Sequence, residues 1–203
     1  MTLRQALGVL ADRGLVMLRA GKDTLVSPPR AAYRLDTLRS LADDLRDQGH
    51  EVATEVVGAR LAQPPKWAAE HLGDATALRL ERVRRLDGQP AVHQISWVRE
   101  PYGSAVRGRD FTAVSLYGAL ADAGAEVASA TETIRPTLLA PRVAALLGQP
   151  ADAPAMTSLR VTYGTDATAM IVDRASIAGT TMEIRAERST TGIALRWSNA
   201  ASA

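Results

Sequence analysis

Two arginines, Arg82 and Arg84, stand two positions apart in the segment LRLERVRRL, where apolar and charged residues alternate. Such alternation predicts a β-strand, in which residues two apart project from the same face. Two neighbouring guanidinium groups repel each other unless an anion or carboxylates lie between them. Because the planar fork of arginine matches phosphate and carboxylate oxygens, the pair suggests a small-anion site. An ordinary surface ladder in an arginine-rich chain explains the spacing equally well, so both interpretations stay open.

The basic N-terminal region is a second candidate for chemistry. The net charge of the whole chain is +2, but residues 1–30 hold five basic side chains against two acidic ones. Such a segment attracts polyanions, although a solvated helix face is the plainer explanation for so few charges. Within it Arg4 could bind guanine or a phosphate, and Gln5 could read adenine.

The composition excludes several classes of site. The 203 residues include no cysteine, so the chain has neither a disulfide framework nor a thiolate metal site. The three histidines lack metal-ligand spacing, and no paired acids or nucleophile–base set indicates catalysis. No stretch approaches the ~20 apolar residues of a membrane span, and the N-terminus has no signal-peptide pattern. We therefore expect a cytoplasmic protein that has no cofactor, is not an enzyme and does not bind membranes.

An amphipathic helix opens the set of elements that must position these residues. Its apolar residues recur at helical spacing and are Leu3, Ala6, Leu7 and Leu10. The helix has no evident N-cap and is expected to end at Gly14. The following LVMLRAGKDTLV alternates on both sides of AGKD, which predicts a β-hairpin with Gly21 and Lys22 at a basic tip. A helix followed directly by a hairpin is the arrangement of the second half of a winged helix, whose recognition helix enters the major groove of DNA.

After the linker-like SPPR, the pattern changes to strands separated by short helices. DTLRSLADDLRDQGHE predicts a helix with Asp36 as its N-cap and Gly49 beyond its end. Asp87-Gly88 between two alternating segments is a strong hairpin signal. Further segments predict strands at EVATEVVGARLA, TETIRPTLLA, MEIRAERS and GIALRW, a hairpin at AMTSLRVTYGTDATAMIVDRASIAG, and helices at PPKWAAEHLG, SLYGALADAG and PRVAALLG. Hairpins with short helices between them indicate an α+β fold with an antiparallel sheet and helices packed on it.

The order of these segments resembles a known family. TLRQAL, the glycines around the hairpin, TLV, a proline linker, R.R..DG.P, SLY and ME follow one another as in the GntR family of bacterial repressors, HutC subgroup. Those proteins join a winged helix to an effector-binding UTRA domain with a fold like chorismate lyase. The resemblance implies a partial winged helix at 1–27, a linker at 28–35 and a UTRA domain at 36–199. It also implies two helices upstream of Met1, so the chain is expected to be truncated near the start of the recognition helix.

The resemblance also implies which side chains bind. Its DNA contacts are Thr2, Arg4, Gln5, Gly21 and Lys22. Its effector contacts, in a pocket between sheet and helices, are Ser40, Arg82, Arg84, Gln94, Ser115, Tyr117 and Glu183. The family often has glutamate where Gln94 stands, tyrosine where Ser189 stands and glycine where Asp23 stands. Without this acid and this aromatic ring, the site is expected to recognise a different chemical group in the part of the ligand that lies away from its anion.

Each implied contact has a plainer alternative. Ser40 could be a solvated helix residue, Ser115 a simple N-cap and Tyr117 part of the core. Ser115 could also serve an anion, because the first N–H groups of a helix favour negative charge. Glu183 could accept from ligand hydroxyls or an amine, or pair with a neighbouring arginine.

The function implied is that of a ligand-responsive transcriptional regulator, expected to be a repressor. A homodimer would place two winged helices on operator DNA, and a small anionic metabolite such as a phosphosugar, a carboxylate or a phosphonate would be the effector. A DNA-free sensor or an inactive truncated relic is the alternative. A lyase-type enzyme of the same fold is a third, more remote interpretation.

Overall fold

The fold is described from a computed structural model, which covers residues 2–12, 16–18, 24–26, 31–32, 38–73 and 75–184. The chain divides into two units: the described residues before Arg30 belong to the first, and those from Ala31 onward belong to the second. Because Gly14, Gly21, Lys22 and Ser189 fall outside the described residues, the predictions made for them stay predictions. The same holds for the strands predicted from residue 185 onward.

The first unit contains a helix and a short hairpin. Helix α1 (Leu3–Asp12) precedes strands β1 (Val16–Leu18) and β2 (Thr24–Val26), which pair in antiparallel fashion as predicted. The Thr2 hydroxyl accepts from the Gln5 backbone N–H at 3.3 Å, and the Gln5 side chain accepts from the Thr2 backbone N–H at 2.8 Å. This reciprocal arrangement is a capping box, so the expectation that the helix lacks a cap was wrong.

The second unit is built on a six-stranded antiparallel sheet in the order β4-β5-β6-β9-β8-β7. Its strands are β4 (Val52–Ala62), β5 (Ala77–Leu86), β6 (Gln89–Arg99), β7 (Val127–Leu138), β8 (Pro154–Gly164) and β9 (Ala169–Ala178). The helices are α2 (Leu41–Asp47), α3 (Lys66–Leu72), α4 (Tyr102–Val106), α5 (Leu116–Asp122) and α6 (Pro141–Leu146). The predicted α+β fold with an antiparallel sheet is confirmed, including the hairpin at Asp87-Gly88.

Helix α2 begins later than the sequence indicates. Its N-cap is Ser40, whose hydroxyl accepts from the Asp43 backbone N–H at 3.2 Å, so the assignment of Asp36 as the cap was wrong. Asp43 reinforces this start, because the Ser40 hydroxyl also donates to its carboxylate at 2.5 Å. Gly49 follows the helix with a φ of +87°, as its predicted position beyond the helix end requires.

A short strand replaces part of the predicted linker at 28–35. Strand β3 (Ala31–Ala32) pairs in parallel with β10 (Met182–Glu183), and the Ala31 N–H donates to the Thr181 carbonyl at 3.2 Å. Ala31 and Met182 are both buried in one apolar cluster. This burial is a tertiary effect, which the local proline signal of the sequence does not contain. The helix α4 was also not predicted.

The two faces of the sheet carry different helices. On one face Leu78 and Leu80 pack with apolar residues of α4 and α5, and Leu86 packs with those of α2. On the other face Ala77 packs with α3, and Val83 packs with α6. Strand β5 is therefore buried on both sides, and its even-numbered residues, including Arg82 and Arg84, belong to the face covered by α2, α4 and α5.

Glu81 links β5 to helix α6 on the opposite face. Its carboxylate is 3% exposed and lies 2.6 Å from Arg142 Nη1, 2.7 Å from His93 Nε2 and 2.9 Å from Arg79 Nη2. Burial alone would raise the pKa of Glu81, but the hydrogen bonds from these three side chains outweigh it and lower the pKa to about 2. The ionised carboxylate therefore stabilises the contact between α6 and the sheet.

We expect Glu81 to make the free energy of unfolding fall in acid. Because its pKa is lowered from 4.5 in the unfolded chain to about 2 in the fold, its contribution is complete above pH 4.5 and is lost as the pH falls toward 2. Urea unfolding should show that Glu81→Gln is less stable than the wild type at pH 7, and that this gap narrows by about 2 kcal/mol at pH 3. Asp122→Asn, at an exposed carboxylate, is the control. An equally wide Glu81→Gln gap at both pH values would contradict the assignment.

Candidate functional site

A cavity that is partly open to solvent lies on the sheet face that carries Arg82 and Arg84. Four sheet strands and the starts of α2 and α5 form its walls. The alternation of strand residues brings polar side chains from β5, β6, β8 and β9 to this face. The lining residues are Ser40, Leu41, Arg82, Arg84, Gln94, Leu116, Tyr117, Ser158, Arg160, Asp173 and Ala175.

Positive charge predominates in this cavity. Among the described residues, Arg82, Arg84 and Arg160 line it together with a single carboxylate, that of Asp173. Arg160 is itself fixed by Glu132, whose Oε2 accepts from its Nε at 3.2 Å and from its Nη2 at 3.0 Å. The surplus of guanidinium groups suits an anionic ligand.

Arg82 holds its charge in the interior of the sheet. The residue is 3% exposed, its Nη2 donates to the Ser96 hydroxyl at 2.9 Å, and its Nε has no hydrogen-bond partner among the described residues. Burial disfavours the charged form and lowers the pKa of Arg82 to about 10, although the charge of Asp173 acts in the opposite direction. A buried charge without a direct carboxylate partner is costly, and such groups occur preferentially at functional sites.

A chain of hydrogen bonds connects the two arginines of β5 through the neighbouring strands. Ser96 receives the bond from Arg82 and donates to Asp173 Oδ1 at 2.5 Å. Gln94 accepts from Arg84 Nη1 and donates from its Nε2 to the same Oδ1 at 2.7 Å. The network therefore spans β5, β6 and β9 and fixes both guanidinium groups at the cavity wall.

Tyr117 forms the helix side of the cavity together with Leu116. Its hydroxyl lies 2.8 Å from the hydroxyl of Thr162, which is completely buried on β8. Burial, together with the charge of Asp173, raises the pKa of Tyr117, so the phenol stays protonated and can exchange hydrogen bonds with a ligand.

The structure brings together five of the seven predicted effector contacts: Ser40, Arg82, Arg84, Gln94 and Tyr117. Ser115 caps α5 by accepting from the Gly118 N–H at 3.0 Å, and it lines an adjoining cavity that shares both arginines. Glu183 lies on β10 and lines neither cavity.

Sequence reasoning missed Ser158, Arg160 and Asp173. Each belongs to a strand of the second predicted hairpin, and Asp173 directly follows four apolar residues in AMIVDRASIA. An acid inside such a strand was the available signal, because a buried carboxylate requires polar neighbours.

The predicted DNA contacts within the described residues are exposed on or beside α1. Thr2 and Gln5 take part in the helix cap, and Arg4 is exposed in the first turn of the helix. None of the described residues form a group of three or more potential metal ligands. Within the same part of the chain, no helix has the length and apolar character needed to cross a membrane.

We expect removal of the Tyr117 hydroxyl to destabilise the protein by about 1–3 kcal/mol, because it leaves the buried Thr162 hydroxyl unpaired. Tyr117→Phe and Thr162→Val should be measured by urea unfolding, singly and together. The double variant should regain part of the loss of Tyr117→Phe, since it removes both partners. Strictly additive losses would show that the two hydroxyls do not stabilise each other.

Comparison with known proteins identifies the family. The family model of the UTRA domain matches residues 47–182. The HTH-type transcriptional repressor NagR of Bacillus subtilis (strain 168) is 25% identical over 173 residues, covering 83% of this chain and 71% of NagR. The crystal structure of PhnF from Mycobacterium smegmatis has a TM-score of 0.74 and 28% identity, covering 93% of this chain and 84% of that one. The isolated effector domain of PhnF matches with a TM-score of 0.69 and 26% identity, over 74% of this chain and 95% of that one. With the UTRA match spanning most of the second unit, the chain belongs to the GntR family of transcriptional regulators that carry a UTRA domain.

Proposed function

We propose that this protein is a repressor whose binding to operator DNA responds to a small anionic metabolite in the cavity of the second unit. The observation that carries this proposal is the convergence of Arg82, Arg84 and Arg160 in one cavity, where Asp173 is the one carboxylate among the described lining residues. A phosphosugar, a carboxylate or a phosphonate would each supply oxygens that match the guanidinium forks.

The energetics of Arg82 support an anionic ligand. Its charge is disfavoured by burial, and its hydrogen bond goes to the neutral hydroxyl of Ser96. An anion in the cavity would give this guanidinium a direct partner of opposite charge in a setting where charges interact strongly. Because Ser96 and Gln94 already hold Arg82 and Arg84 in place, a ligand would lose little free energy in ordering them.

DNA binding is proposed for α1 and the β1–β2 hairpin. The proposed division of the chain is a partial winged helix at 1–27, a linker at 28–35 and an effector-binding UTRA domain at 36–199. Helix α1 has no acidic residue in its first turn, and Arg4 is exposed there. Arginine at such a position can reach guanine or a phosphate in the major groove. Thr2, Gln5, Gly21 and Lys22 remain further proposed contacts, and the similarity to NagR, an HTH-type transcriptional repressor, supports this role.

Regulation is proposed to operate on a homodimer bound to a two-fold operator. The metabolite would shift the population toward a form that no longer fits the half-sites, which requires different affinities for the two forms. We propose cytoplasmic binding of effector and DNA as the whole activity, without catalysis, since the relatives described above are transcriptional regulators.

The anion site can be tested with Arg82→Met, which removes the charge while keeping an unbranched side chain. Inorganic phosphate at 100 times its Kd should stabilise the wild type by about 2.7 kcal/mol, a rise of several degrees in Tm, and should not stabilise Arg82→Met. Arg85→Met is the matched control, because Arg85 lies on the same strand but is not part of the cavity lining. Sodium chloride keeps the ionic strength constant. A full rise in Tm for Arg82→Met would place the anion elsewhere.

The DNA-binding role can be tested by the salt dependence of operator binding. In mobility shifts with DNA from upstream of its own gene, Arg4→Ala should weaken binding and reduce the slope of log K against log salt by about one. Arg107→Ala, at an exposed arginine of the second unit, should leave the slope unchanged. Equal slopes for Arg4→Ala and the wild type would contradict a phosphate contact by Arg4.

A further inference from the structure

Asp173 is the feature of the cavity that a simple anion site does not explain. It lines the cavity between arginines, is 6% exposed and is the one acid among the described lining residues. A carboxylate beside a bound anion weakens binding by like-charge repulsion, and this effect is strong away from bulk water. Although its charge also favours the ionised form of Arg82, Asp173 would weaken the binding of a plain anion unless another group of the ligand compensates for the repulsion.

Only one of the two carboxylate oxygens of Asp173 is used by the described residues. Gln94 Nε2 and the Ser96 hydroxyl both donate to Oδ1, at 2.7 and 2.5 Å. Oδ2 accepts no hydrogen bond from the described residues. An atom without a partner that was also fully buried would stand with Arg82 Nε among the buried unpaired polar atoms, and Oδ2 does not. It therefore keeps access to solvent in a residue that lines the cavity.

The same network fixes the orientation of this oxygen. Because Oδ1 is held by two donors from β6, the carboxylate cannot rotate without breaking both bonds. The hydrogen bonds described above link Arg82 to Asp173 through Ser96, and Arg84 to Asp173 through Gln94, and both of these paths end on Oδ1. The cavity consequently presents a surplus of cationic donors and one fixed anionic acceptor.

We propose that the effector is a zwitterion, in which an anionic group lies against the arginines and a primary ammonium group donates to Asp173 Oδ2. This inference rests on the proposed function, and it narrows the effector class to anions that also carry an amine. A charge-assisted hydrogen bond between ammonium and carboxylate offsets the repulsion that Asp173 would impose on a plain anion. The cavity then selects against anions of the same size that lack the amine.

A purely positioning role for Asp173 leads to different binding data. In that case the carboxylate acts only by holding Ser96 and Gln94, and its loss would weaken the binding of every anion to the same degree. Under the zwitterion assignment, its loss weakens ligands with an amine and strengthens ligands without one. The ratio of the affinity for a ligand with an amine to the affinity for a ligand without one therefore distinguishes the two roles.

The test compares O-phosphoethanolamine with ethyl phosphate, which differ in the amine, by calorimetric titration of the full chain. The wild type should bind O-phosphoethanolamine at least about tenfold more tightly. Asp173→Asn should reduce this ratio to about one and should bind ethyl phosphate more tightly than the wild type does. Asp122→Asn removes an equivalent charge from the exposed surface of α5 and should leave the ratio unchanged.

A second measurement needs no variant and covers the case in which Asp173→Asn fails to fold. Phosphocholine keeps the positive charge but lacks N–H donors, so the wild type should lose at least about tenfold in affinity relative to O-phosphoethanolamine. Equal affinity of the wild type for ethyl phosphate and O-phosphoethanolamine would overturn the zwitterion assignment and leave the anion site intact. Failure of the wild type to bind either of these ligands or inorganic phosphate would overturn the proposed function itself.

Discussion

The burial of the Arg82 guanidinium within an antiparallel sheet is the constraint on which the second unit depends. An interior charge is tolerated only where hydrogen bonds and counter-charges surround it. Ser96 and Asp173 supply a hydrogen bond and a counter-charge from the two strands next in order, so three strands must keep their register for these interactions to persist. A slip of one residue in any of them would turn its polar group to the opposite face.

Strand β5 carries a buried charged side chain on each of its two faces. Glu81 and Arg82 are consecutive, so their side chains project to opposite sides of the sheet. Glu81 is ionised among Arg79, His93 and Arg142 and fastens α6, whereas Arg82 is directed to the cavity side. The two buried charges thus place polar contacts on opposite faces of β5, toward α6 on one side and toward the cavity on the other.

Local sequence patterns predicted the parts of this arrangement that depend on neighbouring residues. Period-two alternation placed Arg82 and Arg84 on one face, and Asp87-Gly88 identified the hairpin that brings β6 beside them. Asp173 could not be located in this way, because it bonds to Gln94 across 79 residues of sequence through the pairing of β6 with β9. The start of α2 was misplaced for a related reason. Asp36 and Ser40 are both good N-caps in isolation, and the contacts of Ser40 with Asp43 decide between them.

The cavity has one wall formed by the sheet and others formed by the starts of α2 and α5, and this difference determines how ligand binding could change the affinity for DNA. The sheet wall is locked by the chain of bonds from Arg82 to Arg84, so its geometry is set before a ligand arrives. A ligand that contacts only this wall would bind both forms of a regulator equally and would shift no population. The remaining walls are the first residues of α2 and α5, short helices whose caps, Ser40 and Ser115, are held by bonds within each helix. Under the proposed function, differences in affinity between the two forms would therefore arise mainly where Ser40, Leu116 and Tyr117 face the proposed ligand, while the arginines would supply affinity common to both forms.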